Sequence, residues 1–426
     1  MTDSIKSISA RVPRRLLDSG YTGEADWEGL TDCVVRIENG LVRSVEAGQG
    51  QADLELNHTI LLPGFLDAHT HLDKAHSWER APNKSGTFNE ALHNIEADKV
   101  NWTADDVYRR ASYALRCAYA YGTVALRSHV DTGLPWARRS YEALSRLREE
   151  WAGRLELQLV SLASIPEYSE SSGDTLADLP VEFGAIALGG MPLMNPDLDA
   201  QLDRLMALAV ERSVGLDLHV DENNGEDTYV LEAVARAVLR NEFPNTVVCG
   251  HCCSLSVKPL KEQLEILELV KESGIKVVSL PMCNLYLQDR RVEEDDIQTP
   301  YWRGITLAHE FMNRGVPFAC ASDNVRDSFY AYGDLDMLEV YRESLRIGHL
   351  DRRLQESIEV VTRAPADLMG LSESGYGQIV PGAPAAFSIF HTSTMSQLLS
   401  RPLVRRQLFR DSKLEEMNIP DYSEVI

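Results

Sequence analysis

Short apolar runs alternate along the chain with longer segments in which apolar residues recur every three or four positions. Eight runs stand out: TILLPGFLDA, GTVALRSHV, LELQLVSLAS, GAIALGG, VGLDLHV, NTVVCGH, IKVVSLP and VPFACASD. They are rich in Val, Leu, Ile and Ala and nearly unbroken by polar residues, as strands buried on both faces are. Between them the period lengthens. In WTADDVYRRASYALRCAYAYG, Thr103 predicts an N-cap with Asp106 three residues on. Val107, Ala111, Ala114, Leu115 and Ala118 form one apolar face there, and Gly122 ends the helix. In NPDLDAQLDRLMALAVERSVG, Asn195 predicts the cap, Pro196 the first helical position, and Leu202, Leu205, Met206 and Ala209 the buried stripe. TYVLEAVARAVLRNE and LKEQLEILELVKESG read the same way. Repeated strand–helix alternation predicts a (β/α)8 barrel, an α/β fold. A doubly wound sheet is the alternative, but no G-x-G-x-x-G follows an early strand.

The two ends differ from the middle. DCVVRIENGLVRSVEAG predicts two short strands joined at Asn39-Gly40, a strong hairpin signal. GQIVPGAPAAFSIFHTS and LVRRQLFRDSKL predict further short strands near the other end. The expected organisation is a small β domain from residues 1–62 and 372–426, flanking a barrel over residues 63–371.

Charge narrows the partners. Lys plus Arg number 42 and Asp plus Glu 65, so the formal net charge is −23. Such a surface repels polyanions, which argues against nucleic acid or an anionic membrane and favours a small neutral or cationic ligand. No apolar run approaches the roughly 20 residues that span a bilayer, and MTDSIKSISARVPRRLLDSG lacks a signal-peptide core. Seven cysteines without framework spacing suggest reduced thiols in a cytoplasmic protein. Cys249 and Cys252 fall on an expected strand, where positions i and i+3 face opposite ways, so they read as core residues and not as a dithiol site.

The stretch LLPGFLDAHTHLDKAH carries the candidate chemistry. His69 and His71, two apart in an extended segment, point to one side and can converge on a divalent transition metal. H-x-H alone is a weak signal. In a barrel, however, side chains at the C-terminal strand ends share one mouth. There the chain places His69 and His71, then His129 and Asp131, Ser164, Gly190, His219 and Glu222, His251, and finally Asp323 and Asn324. Five of the eleven histidines lie at these ends, whereas His58, His93, His309, His349 and His391 are scattered as surface or satisfied core residues would be. His76 lies nearby without an assigned role. Jointly the arrangement points to a metal site.

At these residues the sequence resembles the amidohydrolase superfamily, most closely its cytosine deaminase branch, which also holds N-isopropylammelide hydrolases that act on s-triazine amines. The resemblance runs through PGFLDAHTHLDK, VALRSHVDTG, DLHVDE, CGHCCSL, NLYLQDR, WRGIT, ASDNVRDSFYAYGDLDML and GQIVPGAPA. It implies a distorted barrel with a β-sandwich built from both termini, a hydrolase of C–N bonds in cyclic amidines, and a tendency to form homo-oligomers. It implies that His69, His71, His219 and Asp323 hold one divalent ion, zinc or iron, with a water as the remaining ligand. Glu222 then shuttles protons, and His251 steers the attacking water and stabilises developing charge. Asp323 takes a proton as metal-bound hydroxide attacks the amidine-type ring carbon, and ammonia or an amine leaves. His129 and Asp131 stand behind the ligands.

Binuclear members bridge their ions with a carboxylated lysine from strand four. No lysine occurs here between Lys99 and Lys258, so a single ion is expected. The substrate contacts depart from the cytosine deaminases. Ser164 replaces a glutamine that reads the base edge, Phe329 replaces a stacking tryptophan, and Asn324 replaces a second aspartate. Gly190 and Lys74 complete the expected contacts; Lys74 matches a lysine of the triazine-hydrolysing relatives, with a plain salt bridge as its other reading. A changed base reader beside unchanged proton-transfer groups predicts conserved chemistry on a substrate other than cytosine. Two alternatives remain: a cyclic amide hydrolase of the hydantoinase or dihydropyrimidinase type, disfavoured by the missing lysine and by Glu222, and a non-catalytic binding barrel. The small zinc deaminases are excluded, because P-C-x-x-C is absent.

Overall fold

The structure, a computed structural model, describes residues 5–293 and 296–425. Its strands are β1 (Ser7–Pro13), β2 (Leu30–Glu38), β3 (Leu41–Ala47), β4 (Leu54–Pro63), β5 (Phe65–Thr70), β6 (Thr123–Asp131), β7 (Glu156–Ser164), β8 (Ala187–Met191) and β9 (Gly215–Val220). They continue as β10 (Val247–His251), β11 (Lys276–Ser279), β12 (Arg291–Glu293), β13 (Asp296–Gln298), β14 (Phe318–Cys320), β15 (Phe387–Phe390), β16 (Arg406–Arg410) and β17 (Lys413–Glu416).

Eight of them form one parallel sheet in the order β14-β11-β10-β9-β8-β7-β6-β5. A parallel bridge between Thr70 and Asp323 joins its two edges, so the sheet closes into a barrel. The seam also carries a hydrogen bond from Asp323 N–H to the His69 carbonyl, at 3.0 Å. Seven strands form a second, mixed sheet, β17-β16-β15-β4-β1-β2-β3, drawn from both chain ends. The run TILLPGFLDA, expected as one barrel strand, is divided between the two sheets. Its first part, in β4, pairs with β1 and β15, and β5 begins the barrel. Gly64 makes the crossing possible: a Cβ there would lie 2.2 Å from Val124 Cγ1 in β6.

Local signals act as the sequence suggests at most positions. Asn39 and Gly40 have φ of 53° and 76°, the two left-handed residues of a tight hairpin turn, and Glu38 pairs with Leu41. The Thr103 side chain accepts a hydrogen bond from the Asp106 N–H and caps the helix Ala104–Ala120, a contact worth about 1 kcal/mol. The Asn195 cap is corrected. Its side chain accepts instead from the Asp197 N–H in a local turn, and the helix runs only from Leu198 to Glu211. Leu202, Leu205, Met206 and Ala209 are buried on that helix as the apolar stripe requires, at roughly 1.5–3 kcal/mol for each large side chain. All seven cysteines, Cys249 and Cys252 among them, are free and buried. No helix among the described residues is long and apolar enough to cross a membrane.

Candidate active site

Strand register builds the site. Asp67, buried in β5, accepts hydrogen bonds from the N–H and hydroxyl of Ser322 just past β14. That link and the seam at Thr70–Asp323 hold His69, His71 and Asp323 together. From the opposite wall, β9 presents His219 and β10 ends in His251. The Nε2 atoms of His69 and His219 lie 3.1 Å apart, and those of His219 and His71 3.2 Å. Asp323 Oδ1 lies 3.2 Å from His71 Nε2 and 3.7 Å from His69 Nε2. Ligand atoms about 2.1 Å from a tetrahedral ion are separated by about 3.4 Å, so these four atoms have the spacing of a metal's ligand set.

The donor set fits a cation on a second ground. Both carboxylate oxygens of Asp323, the group that faces the three Nε2 atoms, are buried without a hydrogen-bond partner. Native cores rarely leave a buried carboxylate in this state without a further group to satisfy it. Burial drives the three imidazoles well below the usual histidine pKa, aided by their mutual proximity, so they are neutral and able to donate lone pairs. Burial also raises the Asp323 carboxyl to about 8. In two overlapping trios, His69, His71 and His129, and His69, His219 and His251, one ring nitrogen of each residue lies within 4.8 Å of those of the other two.

Backbone strain marks the same place. His251 and Asp323 hold left-handed backbones, with φ of 67° and 68°, at a cost of about 1–3 kcal/mol each. The Thr306 hydroxyl donates to the His251 carbonyl at 2.6 Å and helps to hold that conformation. The Glu222 side chain is only 8% exposed, and its carboxyl lies well above the ordinary range because of desolvation and the nearby Asp323. His251 is lowered to about 3, chiefly by burial.

These groups open into a cavity of about 530 Å³ lined by His71, His219, Glu222, His251, Asp323 and, further out, Lys74, Ser164, Asn324 and Phe329. The Phe329 ring packs edge-on to Phe88, with centroids 5.5 Å apart, and the Lys74 ammonium lies 5.4 Å from its centroid. Lys74 is buried and donates to Asp131 Oδ1 at 2.7 Å; Lys99 meets the other oxygen of Asp131 at 3.2 Å. Burial opposes the charge on Lys74, but Asp131 and Asp73 outweigh it and raise its pKa. Asp131 therefore belongs to an ion cluster on the cavity wall. His129 packs on the His69 ring, with centroids 3.9 Å apart, and its Nε2 lies 3.2 Å from Asp217 Oδ1. The Asn324 amide is engaged within the protein, donating to Asp327 Oδ2 at 2.8 Å. Gly190 sits inside the strand wall, where a Cβ would meet the Ala163 carbonyl at 2.3 Å, and Met191 lines the cavity beside it.

Two residues at the site were not singled out from the sequence. Gly250 leaves room for the His69 ring, since a Cβ would stand 3.0 Å from its Cε1. Asn284, fully buried, lies between Glu222 and His251. Their positions in CGH and NLYLQDR were the available signals.

The sequence pattern of the Amidohydrolase family matches residues 174–402. A pterin deaminase of Rhizobium rhizogenes is 42% identical over 414 residues, covering 95% of this chain and 92% of that protein. The chain belongs to the amidohydrolase family. An N-isopropylammelide isopropyl amidohydrolase of Pseudomonas sp. is 23% identical to this amidohydrolase over 362 residues, 81% of this chain and 82% of the relative. The fold is shared with a 5-methylcytosine deaminase from Klebsiella pneumoniae, with a TM-score of 0.83 at 24% identity, covering 98% of this chain and 99% of that one.

Proposed function

We propose that this amidohydrolase is a mononuclear metal-dependent aminohydrolase that removes the exocyclic amine of a nitrogen heterocycle, with pterins as its substrate class. The observation that carries the reading is the convergence of three neutral imidazoles and one carboxylate on a point that shares a cavity with Glu222 and His251. Pterins are favoured by the 42% identity to a pterin deaminase and by a cavity with room for a two-ring system. The 2-amino-4-oxo ring of a pterin is also a cyclic amidine, so the same bond is broken as in a cytosine-like base.

His69, His71, His219 and Asp323 would hold the ion. When bound, a divalent cation brings a coordinated water's pKa down to about 7 and so supplies the nucleophile. Asp323, whose carboxyl a bound cation would hold ionised against the effect of burial, accepts a proton from the attacking water. Glu222, whose carboxyl is raised above its ordinary range by burial, donates its proton to the ring nitrogen beside the attacked carbon, then takes the remaining proton of the newly bonded oxygen and passes it to the departing amine, and the proton held by Asp323 returns to Glu222. One C–O bond forms, one C–N bond breaks, and ammonia leaves. His251, neutral at operating pH, donates a hydrogen bond to the oxygen that gains charge. Phe329 supplies a ring face against the heterocycle, and Ser164 and Lys74 lie within the same cavity as polar contacts. His129 and Asp217 support the His69 ring from behind.

The proposal keeps residues 63–371 as the catalytic barrel and residues 1–62 with 372–426 as the flanking β unit, supported by the two separate sheets. A cytoplasmic setting is supported by the seven free buried thiols, and exclusion of nucleic acid by the charge of −23. Self-association follows the tendency of the family. Zinc and iron are both compatible with the donor set.

The test is ammonia release from pterins, cytosine and amino-triazines by protein loaded with zinc or iron, beside Glu222→Gln. Pterin turnover is expected, cytosine should be poor, and the variant should lose about 10³-fold in kcat with metal content unchanged. Absence of ammonia from every heterocycle, with one ion bound per chain, overturns the reading. Two tightly held ions per chain overturn the mononuclear assignment.

A further inference from the structure

We propose that Asn284 is a positioning residue that fixes the tautomer of His251, so that His251 offers the site an N–H donor instead of a fourth metal-binding lone pair; the catalytic side of this proposal rests on the aminohydrolase reading above. Asn284 sits in the short helix Pro281–Leu287 that follows β11, and it is fully buried. Its Nδ2 lies 3.0 Å from His251 Nδ1 and 3.2 Å from Glu222 Oε1, and those two atoms are themselves 3.5 Å apart. A single amide nitrogen thus caps the proton shuttle and the histidine from one side.

An amide has a donor end and an acceptor end. The structure sets the NH2 end inward; turned the other way, the oxygen would face Glu222 Oε1 at 3.2 Å and be satisfied only by a carboxyl proton on that same oxygen. With the NH2 inward, one N–H serves Glu222 Oε1 and the other serves His251 Nδ1. Nδ1 is then an acceptor, and the proton of the neutral ring sits on Nε2. The same contact keeps Oε1 of Glu222 an acceptor, so a proton on this carboxyl rides on Oε2, the oxygen that Asn284 does not engage.

The consequence concerns the ligand set. His251 lies close enough to His69 and His219 to join them around an ion, and its Nε2 is buried with no protein partner. A protonated Nε2 has no free lone pair and cannot ligate. The Asn284 amide therefore separates three ligating imidazoles from one that donates a hydrogen bond, although all four rings crowd the same volume. Gln288 braces the arrangement from the end of that helix by donating to the Glu222 carbonyl at 3.1 Å.

The experiment is 15N NMR of histidine-labelled protein, with His251 assigned by difference against His251→Gln, in the metal-free and zinc-loaded states. The wild type should show protonated Nε2 and bare Nδ1 in both. Asn284→Asp, isosteric but acceptor-only, should move the proton to Nδ1 and lower kcat by about 10²-fold with KM within threefold. Asn284→Leu, which lacks both ends of the amide, should leave His251 as a mixture of tautomers with a similar loss of kcat. A wild-type His251 protonated on Nδ1, or a tautomer unchanged in both variants, overturns the proposal. The tautomer is read without substrate: if no heterocycle is deaminated yet the proton moves in Asn284→Asp, the tautomer lock stands and it is the aminohydrolase reading that fails.

Discussion

Removing the metal should lower thermal stability by an amount that the site itself sets. In the folded chain the Nε2 atoms of His69, His71 and His219, three of the proposed ligands, stand 3.1–3.2 Å apart across His219, and both carboxylate oxygens of Asp323, the fourth, are buried without a partner. An ion bound by this set binds the folded chain and not a random one, because the ligands come from β5, from β9 and from beyond β14. At about a thousandfold excess over its dissociation constant, such a ligand stabilises the fold by about 4 kcal/mol. At roughly 2.1 cal/mol/K per residue, 426 residues give an unfolding entropy near 0.9 kcal/mol/K. The expected shift in Tm is therefore about 4–5 °C, read by differential scanning calorimetry of chelated and zinc-loaded protein. His219→Ala removes the ligand that touches both other imidazoles, and its shift should fall below about 1 °C. Identical melting with and without metal would refute the reasoning, as would a full shift in His219→Ala.

Two further outcomes test the physics around the site. Both ring nitrogens of His76 are buried without a partner, and burial, with Arg326 and Arg110, lowers its pKa from 6.5 to about 3. Its neutral folded state is fully stabilising above the unfolded pKa and loses about 1.4 kcal/mol per pH unit as pH falls toward 3. His76→Asn, which tolerates the left-handed backbone at φ 54°, should make urea-derived stability about one proton less steep between about pH 6 and 4.5; equal slopes would count against the assignment. Gly250→Ala sets a Cβ 3.0 Å from the His69 ring and should weaken zinc binding about 10–100-fold in a chelator competition while leaving the circular dichroism spectrum unchanged. Unaltered affinity would mean that the His69 ring has slack.

Much of this was legible in one dimension because it depends on neighbours in the chain. The eight barrel strands each overlap one of the eight apolar runs, five lying wholly inside and β5, β6 and β8 running one or two residues past the end, since burial on both faces leaves no polar alternation. Thr103 caps its helix because the Asp106 N–H lies three residues away. The same local logic misled at Asn195, where a turn ending at Asp197 competes with the helix for the side chain. It also ran β4 and β5 together, because nothing in an apolar run says that Pro63 and Gly64 hand the chain from one sheet to another.

The residue types needed for the chemistry, and their place at the strand ends, were therefore set by the order of amino acids alone. Which of those residues meet was decided only by closure of the barrel. The hydrogen bond from Asp323 to His69 joins the last strand's end to the first, and no periodicity encodes it. The same closure turned Asp131 toward Lys74 and Lys99, set His129 against His69, and brought Asn284 between Glu222 and His251. Strand propensity and capping act over a few residues, whereas hydrogen-bond direction and ligand spacing act over a few ångströms between residues far apart in the chain.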